Sequence, residues 1–336
     1  MRVSDTFYQY MRLRTITRGG LFVCVLLLVS GCQYLSKYFP ATAKPPIPVR
    51  AMHPVIQTRM LPDFSQVTVQ GRLNVRLHTG AGKPHVVLQG DASDLAQVHT
   101  VMKGYTLCVS IGKGYPQRGS VTVEIYAKQL HRFTYDGVGV IRGTDLSTRY
   151  LDLSINNPET TVLSGHIGLR RLNMRGSGLI QLNNVSGQDI QIAMAGNPKI
   201  QLVGLFSLAT LDLRVDGMLS AYWIKSDKLI IREHGHVHVQ LAGVVKILEV
   251  SLWDSSDFNG RYLRAYRAFV KTHGRSAAKI SAVRRQHTLA SDASDIYFYN
   301  LPQMKTDFMA YDGSVLDMRD WNLYFEQEYT RYNSQY

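Results

Sequence analysis

Residues 172–182 read Leu172-Asn173-Met174-Arg175-Gly176-Ser177-Gly178-Leu179-Ile180-Gln181-Leu182. One repeat later the chain reads Ile192-Ala193-Met194-Ala195-Gly196-Asn197-Pro198-Lys199-Ile200-Gln201-Leu202. Both stretches pair the alternation of a half-buried strand with a glycine turn and a second alternating run. The turn recurs upstream as Asp136-Gly137 and Asn156-Asn157. Downstream it recurs at near-constant spacing as Asp216-Gly217, His234-Gly235, Ser255-Ser256, His273-Gly274, Asp292-Ala293 and Asp312-Gly313. Glycine, asparagine and aspartate tolerate the left-handed backbone that a sharp corner needs. A period of about 20 residues with such corners marks a solenoid with one coil per repeat.

Four residues before the corners stand Phe133, Leu153, Leu172, Ile192, Leu213, Ile231, Leu252, Val270, Leu289 and Met309, all apolar in a chain that is 45% hydrophobic. Positions one coil apart stack, so this column predicts a continuous internal ladder through residues 131–318. A sandwich needs no fixed period, and a doubly wound fold needs helical segments of about 10–15 residues between strands, which are scarce here. The expected fold is all-β, a parallel β-helix of about 20 residues per coil.

Residues 63–130 read as a strand-rich N-terminal cap. Its strands include Val67-Thr68-Val69, Leu73–Leu77, Val86–Leu88, Leu107–Val109 and Val121–Ile125, with a short helix expected within Asp94–Met102. The aromatic tail, residues 319–336 with Trp321, Tyr324 and Phe325, is the expected cap of the other end. Tyr297-Phe298-Tyr299 read as exposed aromatics. Caps matter because an open sheet end invites strand addition.

Residues 32–62 hold six of the eleven prolines (Pro40, Pro45, Pro46, Pro48, Pro54 and Pro62) and read as an extended tether. Residues 1–31 read as a signal peptide: Arg12, Arg14 and Arg18, then nine apolar residues from Leu21 to Val29. That run falls short of the roughly 20 residues of a spanning helix. A start at Met11 gives a signal peptide of ordinary length. The ending Val29-Ser30-Gly31-Cys32 resembles the lipobox of bacterial lipoproteins. The resemblance implies acylation (palmitate) of Cys32 as the mature N-terminus. Gln33, in place of an aspartate retention signal, points to the outer membrane, on its periplasmic face or at the cell surface.

The 336 residues carry 38 basic and 25 acidic side chains, and 19% are charged. That suits a sizeable core and excludes a disordered polymer. Three cysteines support neither a disulfide framework nor a zinc ribbon. Loss of residues 1–31 removes Arg2, Arg12, Arg14, Arg18 and Asp5, leaving 34 basic against 24 acidic groups, a net +10, and Cys108 as the one free thiol.

A family resemblance is carried by Val67-Thr68-Val69-Gln70-Gly71, Val86-Val87-Leu88-Gln89-Gly90-Asp91, Gly104-Tyr105-Thr106-Leu107 and the corner Arg175-Gly176-Ser177-Gly178-Leu179-Ile180. Over roughly residues 64–300 the chain is similar to the auto-transporter adhesin head family, the GIN domain. The resemblance implies a right-handed parallel β-helix on a bacterial envelope protein and brings no catalytic residues.

The largest charge feature is Arg261, Arg264, Arg267, Lys271, Arg275, Lys279, Arg284 and Arg285, with no acid among them and with Phe258, Tyr262, Tyr266 and Phe269 interleaved. Stacked coils are expected to gather several of these cations on one outer face, suited to phosphate or carboxylate. The expected partners are an anionic envelope polymer, lipid phosphate or an acidic protein, engaged by the chain alone or as one subunit of a larger envelope complex. Nucleic acid does not fit the compartment. The alternative reading of the run is a solvated face.

His236 and His238 share one strand face, as metal ligands can, but no third ligand stands nearby. No metal or other cofactor is expected. A polysaccharide-processing β-helix enzyme is the alternative function, and it requires clustered carboxylates. Here the acids are scattered, with Asp136, Asp216 and Asp312 at corners, and no hydrolase elbow or phosphate loop is present. The expected function is therefore non-enzymatic: a β-helical envelope lipoprotein that binds, as an adhesin-like module or as a subunit of an outer-membrane-associated assembly.

Overall fold

A computed structural model describes residues 54–299 and 303–318. The signal peptide, Cys32, most of the tether and the aromatic tail lie outside the described residues. The strands in chain order are β1 (Pro54–Met60), β2 (Gln66–Gly71), β3 (Asn74–Thr79), β4 (His85–Asp91), β5 (Val98–Lys103), β6 (Thr106–Ile111), β7 (Thr122–Ala127) and β8 (Arg132–Gly137). They continue as β9 (Ile141–Asn156), β10 (Thr161–Gly176), β11 (Leu179–Asn183), β12 (Val185–Gly196), β13 (Lys199–Arg214), β14 (Gly217–His234), β15 (Val237–Leu252) and β16 (Asp257–Thr272). The last are β17 (Ala277–Ser291), β18 (Asp295–Phe298), β19 (Lys305–Tyr311) and β20 (Ser314–Asp317). One short helix, α1 (Ala92–Leu95), follows β4.

The strands wind into a parallel β-helix of about nine turns, roughly 20 residues each. Breaks in register between β13 and β14, and again between β16 and β17, mark two bends within a coil and so divide it into three walls. We call them wall A (for example 237–241), the short wall B (243–245) and wall C (247–252).

Wall C shows why these residues stack. Val67, Phe133, Leu153, Leu172, Ile192, Leu211, Ile231, Val250, Val270, Thr288 and Phe308 succeed one another as direct neighbours. All but the last, in the terminal coil, are buried. Each large aliphatic removed from water contributes about 2 kcal/mol, but only against the coil on either side.

This ladder corrects the expected column. Leu213 and Leu252 are buried but stand two residues further on, while Leu289 is half-buried and Met309 exposed on the outer surface. The cause is the placement of the corners. The residues aligned with Gly235 and Gly274 are Val215, Asp254 and Asp292, not Gly217, Ser256 and Ala293. Counted from Val215, Asp254, Asp292 and Asp312, the fourth residue back is Leu211, Val250, Thr288 and Phe308, the observed ladder.

Asp254, Asp292 and Asp312 hold φ of 63°, 62° and 58°, taking the left-handed role of the missing glycines. The carboxylates add a link between coils. Asp254 accepts from the Gly235 amide at 2.9 Å, and Asp292 from the Gly274 amide at 3.1 Å. Ser256, Ser276 and Ser294 complete successive corners by donating to the carbonyls of Trp253, His273 and Ser291, three residues back.

A second corner lies between walls A and B. Asp145, Gly165, Asn184, Gly204, Trp223 and Gly243 all have positive φ there, so glycine recurs only every second coil, too sparsely to mark the period in the sequence.

The N-terminal region is more than a cap. β2 lies between β6 and β8, and β3 between β7 and β9, all in parallel, so residues 66–79 and 106–127 form coils of the solenoid itself. The capping strands are antiparallel: β4 on β7, β1 on β4, and β5 on β6. The end of the expected tether is therefore strand at Pro54–Met60. The expected helix is reduced to α1, started by Asp91, which accepts from the Ser93 amide at 2.9 Å, and residues 98–103 are strand. Phe298 and Tyr299 are buried rather than exposed, and Tyr297 is half-buried.

Candidate anion-binding face

Winding the chain around three walls disperses the basic run. Lys279 lies on the outer surface of wall A, between Asn259 and Tyr297. Arg261 leaves wall A at the bend, with its guanidinium 5.4 Å from the Tyr262 ring centre and close to Tyr299. Burial raises the Tyr299 phenol pKa, and the Arg261 charge partly offsets this. Arg264 stands on wall B opposite Ser281, and Arg275 follows the corner residue Gly274. Arg284 is spent on the Tyr266 ring, 5.1 Å from its centre. Only Arg267, Lys271 and Arg285 share wall C. The expectation that Arg261, Arg264, Arg267, Lys271, Arg275 and Lys279 gather on one face is thus not met, because the run passes from wall A through walls B and C and back to wall A within its length.

Wall C recruits other cations in their place. One outer column runs Lys228, Ile247, Arg267, Arg285, Lys305. The next runs Ile230, Glu249, Phe269, His287, Asp307, and the third Arg232, Ser251, Lys271, Leu289, Met309. Lys228, Arg232 and Lys305 escape a reading of local charge because they lie outside the basic run. Stepping one coil at a time from Arg267, forward and back, finds Lys228, Arg285 and Lys305.

The acids of this face are already engaged. Glu249 pairs with Lys228 at 2.9 Å. Asp307 meets His287 at 3.0 Å and Arg285 at 3.7 Å. Among the described residues, Arg232, Arg267, Lys271 and Lys305 have no carboxylate at ion-pair distance, so wall C holds cations with no internal counterion. Earlier coils differ. There Asp152 accepts from Arg170 at 2.8 Å, which holds its carboxyl below the usual range, and Arg132 approaches it at 3.9 Å.

His236 and His238 do not converge on a common point. His236 Nδ1 meets Asp216 of the preceding coil at 3.2 Å, and His238 Nδ1 meets Asp257 of the following coil at 2.7 Å. Val237 and Val239, which alternate with them, are buried, as the alternation requires. Among the described residues no group of three histidine, cysteine or acidic side chains is placed to hold a metal ion. His234, Trp253 and His273 form a stacked ladder beside the corner, with centroids 4.3 and 5.8 Å apart, so their ring faces are occupied by one another.

One buried acid has no such partner. Glu233 lies inside wall C between Leu213 and Leu252, fully enclosed, with neither carboxylate oxygen hydrogen-bonded. Burial first, then the neighbouring Asp257 charge, hold its carboxyl well above the usual range. No described helix is long and apolar enough to cross a membrane.

Comparison with known proteins places the chain in a family. Residues 63–240, just over half of the chain, match the family model described as "Putative auto-transporter adhesin, head GIN domain". Among solved structures, a putative adhesin from Parabacteroides merdae ATCC 43184 is 12% identical over 79% of this chain and 96% of its own, with a TM-score of 0.44. A protein from Parabacteroides distasonis ATCC 8503 described as a putative lipid binding protein is 14% identical over 80% of this chain and 97% of its own, with a TM-score of 0.40. No curated protein matches the chain. By the extent of the family match, the chain belongs to the auto-transporter adhesin head family, the GIN domain.

Proposed function

We propose that the protein is a non-enzymatic, adhesin-like binding module of the bacterial envelope, anchored to the outer membrane through acylated Cys32 and engaging an anionic partner with wall C. The observation that carries this reading is the set of cations on wall C left over after its carboxylates are paired. Like charges directly opposite one another in a sheet cost stability, and Arg267 faces Arg285 in adjacent coils, so the arrangement answers to something outside the fold. Membership of an adhesin-head family supports an envelope location.

The corner acids give no support to a catalytic reading. Asp254 and Asp292 are occupied by backbone amides of the neighbouring coil.

The test is a pull-down from detergent-solubilised envelopes with two double variants. Arg267→Glu with Lys271→Glu reverses wall C, and Arg275→Glu with Lys279→Glu reverses charges elsewhere. Loss of the captured partner only with the first pair is the expected outcome, and capture that survives it refutes the reading. A single captured protein identifies an assembly subunit, whereas an acidic polymer identifies an adhesin. Mass spectrometry of the mature N-terminus checks the anchor: an unmodified Cys32 overturns it.

A further inference from the structure

We infer that wall C of the C-terminal coils docks side-on against an anionic phospholipid surface, so that the solenoid axis lies along the bilayer rather than standing away from it. The inference rests on the reading that wall C is the working face, and it names the partner. Three features of the face favour a bilayer over a dissolved polymer or a protein.

The first is charge. Over five coils the outer surface of wall C presents Lys228, Arg232, Arg267, Lys271, Arg285 and Lys305 against Glu249 and Asp307, a surplus of four positive charges. Near an anionic membrane each basic residue contributes about a fivefold gain in affinity, so the surplus of four gives roughly 600-fold at low salt.

The second is the company those cations keep. Ile230, Ile247, Phe269, Leu289 and Met309 stand among them, with Phe269 and Met309 exposed to 39% and 56%. A hydrated polyanion gains little from such side chains. A bilayer interface accepts them, while lysine and arginine stems reach past them to the phosphates.

The third is shape. Parallel strands about 4.8 Å apart place the five coils across roughly 19 Å. Their cations form straight columns because the coils stack in register along β14–β17 and β19. A flat, gridded surface matches a plane of headgroups.

The experiment is residue-resolved footprinting of the full lipidated chain held in vesicles. A water-soluble acetylating reagent is applied, and Lys83 and Lys199, which lie off wall C, serve as internal standards. In vesicles containing phosphatidylglycerol, Lys228, Lys271 and Lys305 should be modified at least about tenfold more slowly than in phosphatidylcholine alone. High salt should erase the difference, because screening shortens the reach of surface charge. The Arg267→Glu, Lys271→Glu double variant should lose the protection at Lys228 and Lys305.

Equal modification in the two vesicle types overturns the inference. Adding polygalacturonate to the phosphatidylcholine sample then separates the two levels. Protection by the polymer keeps wall C as the binding face with a different partner, and no protection under any condition removes the anion-binding reading as well.

Discussion

Walls A and C are built from the same coils and the same ladder of parallel strands, yet their outer surfaces differ. Wall A carries Gln181, Gln201, Ser220, Gln240, Asn259, Lys279 and Tyr297 in one continuous column, largely neutral, and Gln181 donates to Gln201 at 3.2 Å. Neutral side chains in such a column need no counterion from outside the fold. Wall C carries a column of Lys228, Ile247, Arg267, Arg285 and Lys305, in which Lys228 and Arg285 find carboxylates while Arg267 and Lys305 find none. The inner surfaces differ as well: wall A is lined by Ile200, Leu219, Val239, Phe258 and Ala278, whereas wall C admits Glu233, Thr272 and Thr288. The coil fixes where side chains point and leaves the two walls free to specialise.

That freedom depends on corners that keep the walls apart, and the largest predicted effect breaks one. A Cβ at Gly204, where φ is 153°, would lie 2.1 Å from the Val185 carbonyl oxygen of the preceding coil. Neither backbone nor oxygen can yield cheaply, so Gly204→Ala should destabilise by about 3 kcal/mol or more. Gly82→Ala, whose Cβ meets nothing within 4 Å, should change stability by less than about 0.5 kcal/mol. Urea denaturation of both variants decides. If Gly204→Ala is tolerated, the wall A–wall B corner does not set the register and the two walls are not held as described.

Next in size is the acid inside wall C. Glu233 is buried without a partner and its carboxyl titrates well above 4.5 in the folded chain. The folded state therefore holds a proton that the unfolded state releases. Stability should be greatest below about pH 4.5 and fall as pH rises from there toward the raised folded value. Glu233→Leu should remove that slope and raise stability at neutral pH by about 1–3 kcal/mol. Thermal melts from pH 4 to 8 measure it. A variant with the same slope as the parent would show that Glu233 is hydrated or paired, and that the inner faces of the two walls are more alike than they look.

The solenoid is legible because its period is a property of sequence: corners recur once per coil, with an apolar residue four before most of them. Errors arise where two residue types can serve one corner. Asp254 and Asp292 hold the left-handed backbone that Gly235 and Gly274 hold in neighbouring coils, and with no glycine to mark them the spacing places those corners at Ser256 and Ala293, two and one residues late. Leu289 and Met309 are then expected to point inward, whereas they face out. The two coils formed by β2, β3, β6 and β7 are hidden for another reason. Their spatial order departs from chain order, which no local period records. The site is least legible of all, since a basic run along the chain becomes a face only if it stays on one wall.

Asp292 tests the corner explanation at smaller scale. Asp292→Ala removes both the carboxylate that accepts from the Gly274 amide and a side chain suited to φ of 62°. It should cost about 1–2 kcal/mol. Asp292→Asn keeps an acceptor and tolerates the same backbone, so it should cost only a few tenths. Equal losses for the two would mean that the charge, not the geometry, holds the corner.

The smallest effect bears most directly on what wall C is for. If the surplus cations were structural, neutralising one would weaken the fold. The register says the reverse: Arg267 stands directly opposite Arg285, and Arg285 already shares Asp307 with His287. Like charges opposed across a ladder are destabilising by a few tenths of a kcal/mol, and the repulsion is screened by salt. Arg267→Gln should therefore raise stability by roughly 0.3 kcal/mol at low ionic strength, with the gain shrinking as salt is added. The matching change on wall A, Lys279→Gln, has no cation opposite it, since its neighbours are Asn259 and Tyr297, and it should leave stability unchanged. A loss of stability in Arg267→Gln would tie the guanidinium to the fold and erase the contrast between the walls. A gain would mean that the chain carries Arg267 at a cost to its own folding, as a side chain kept for an external partner must be.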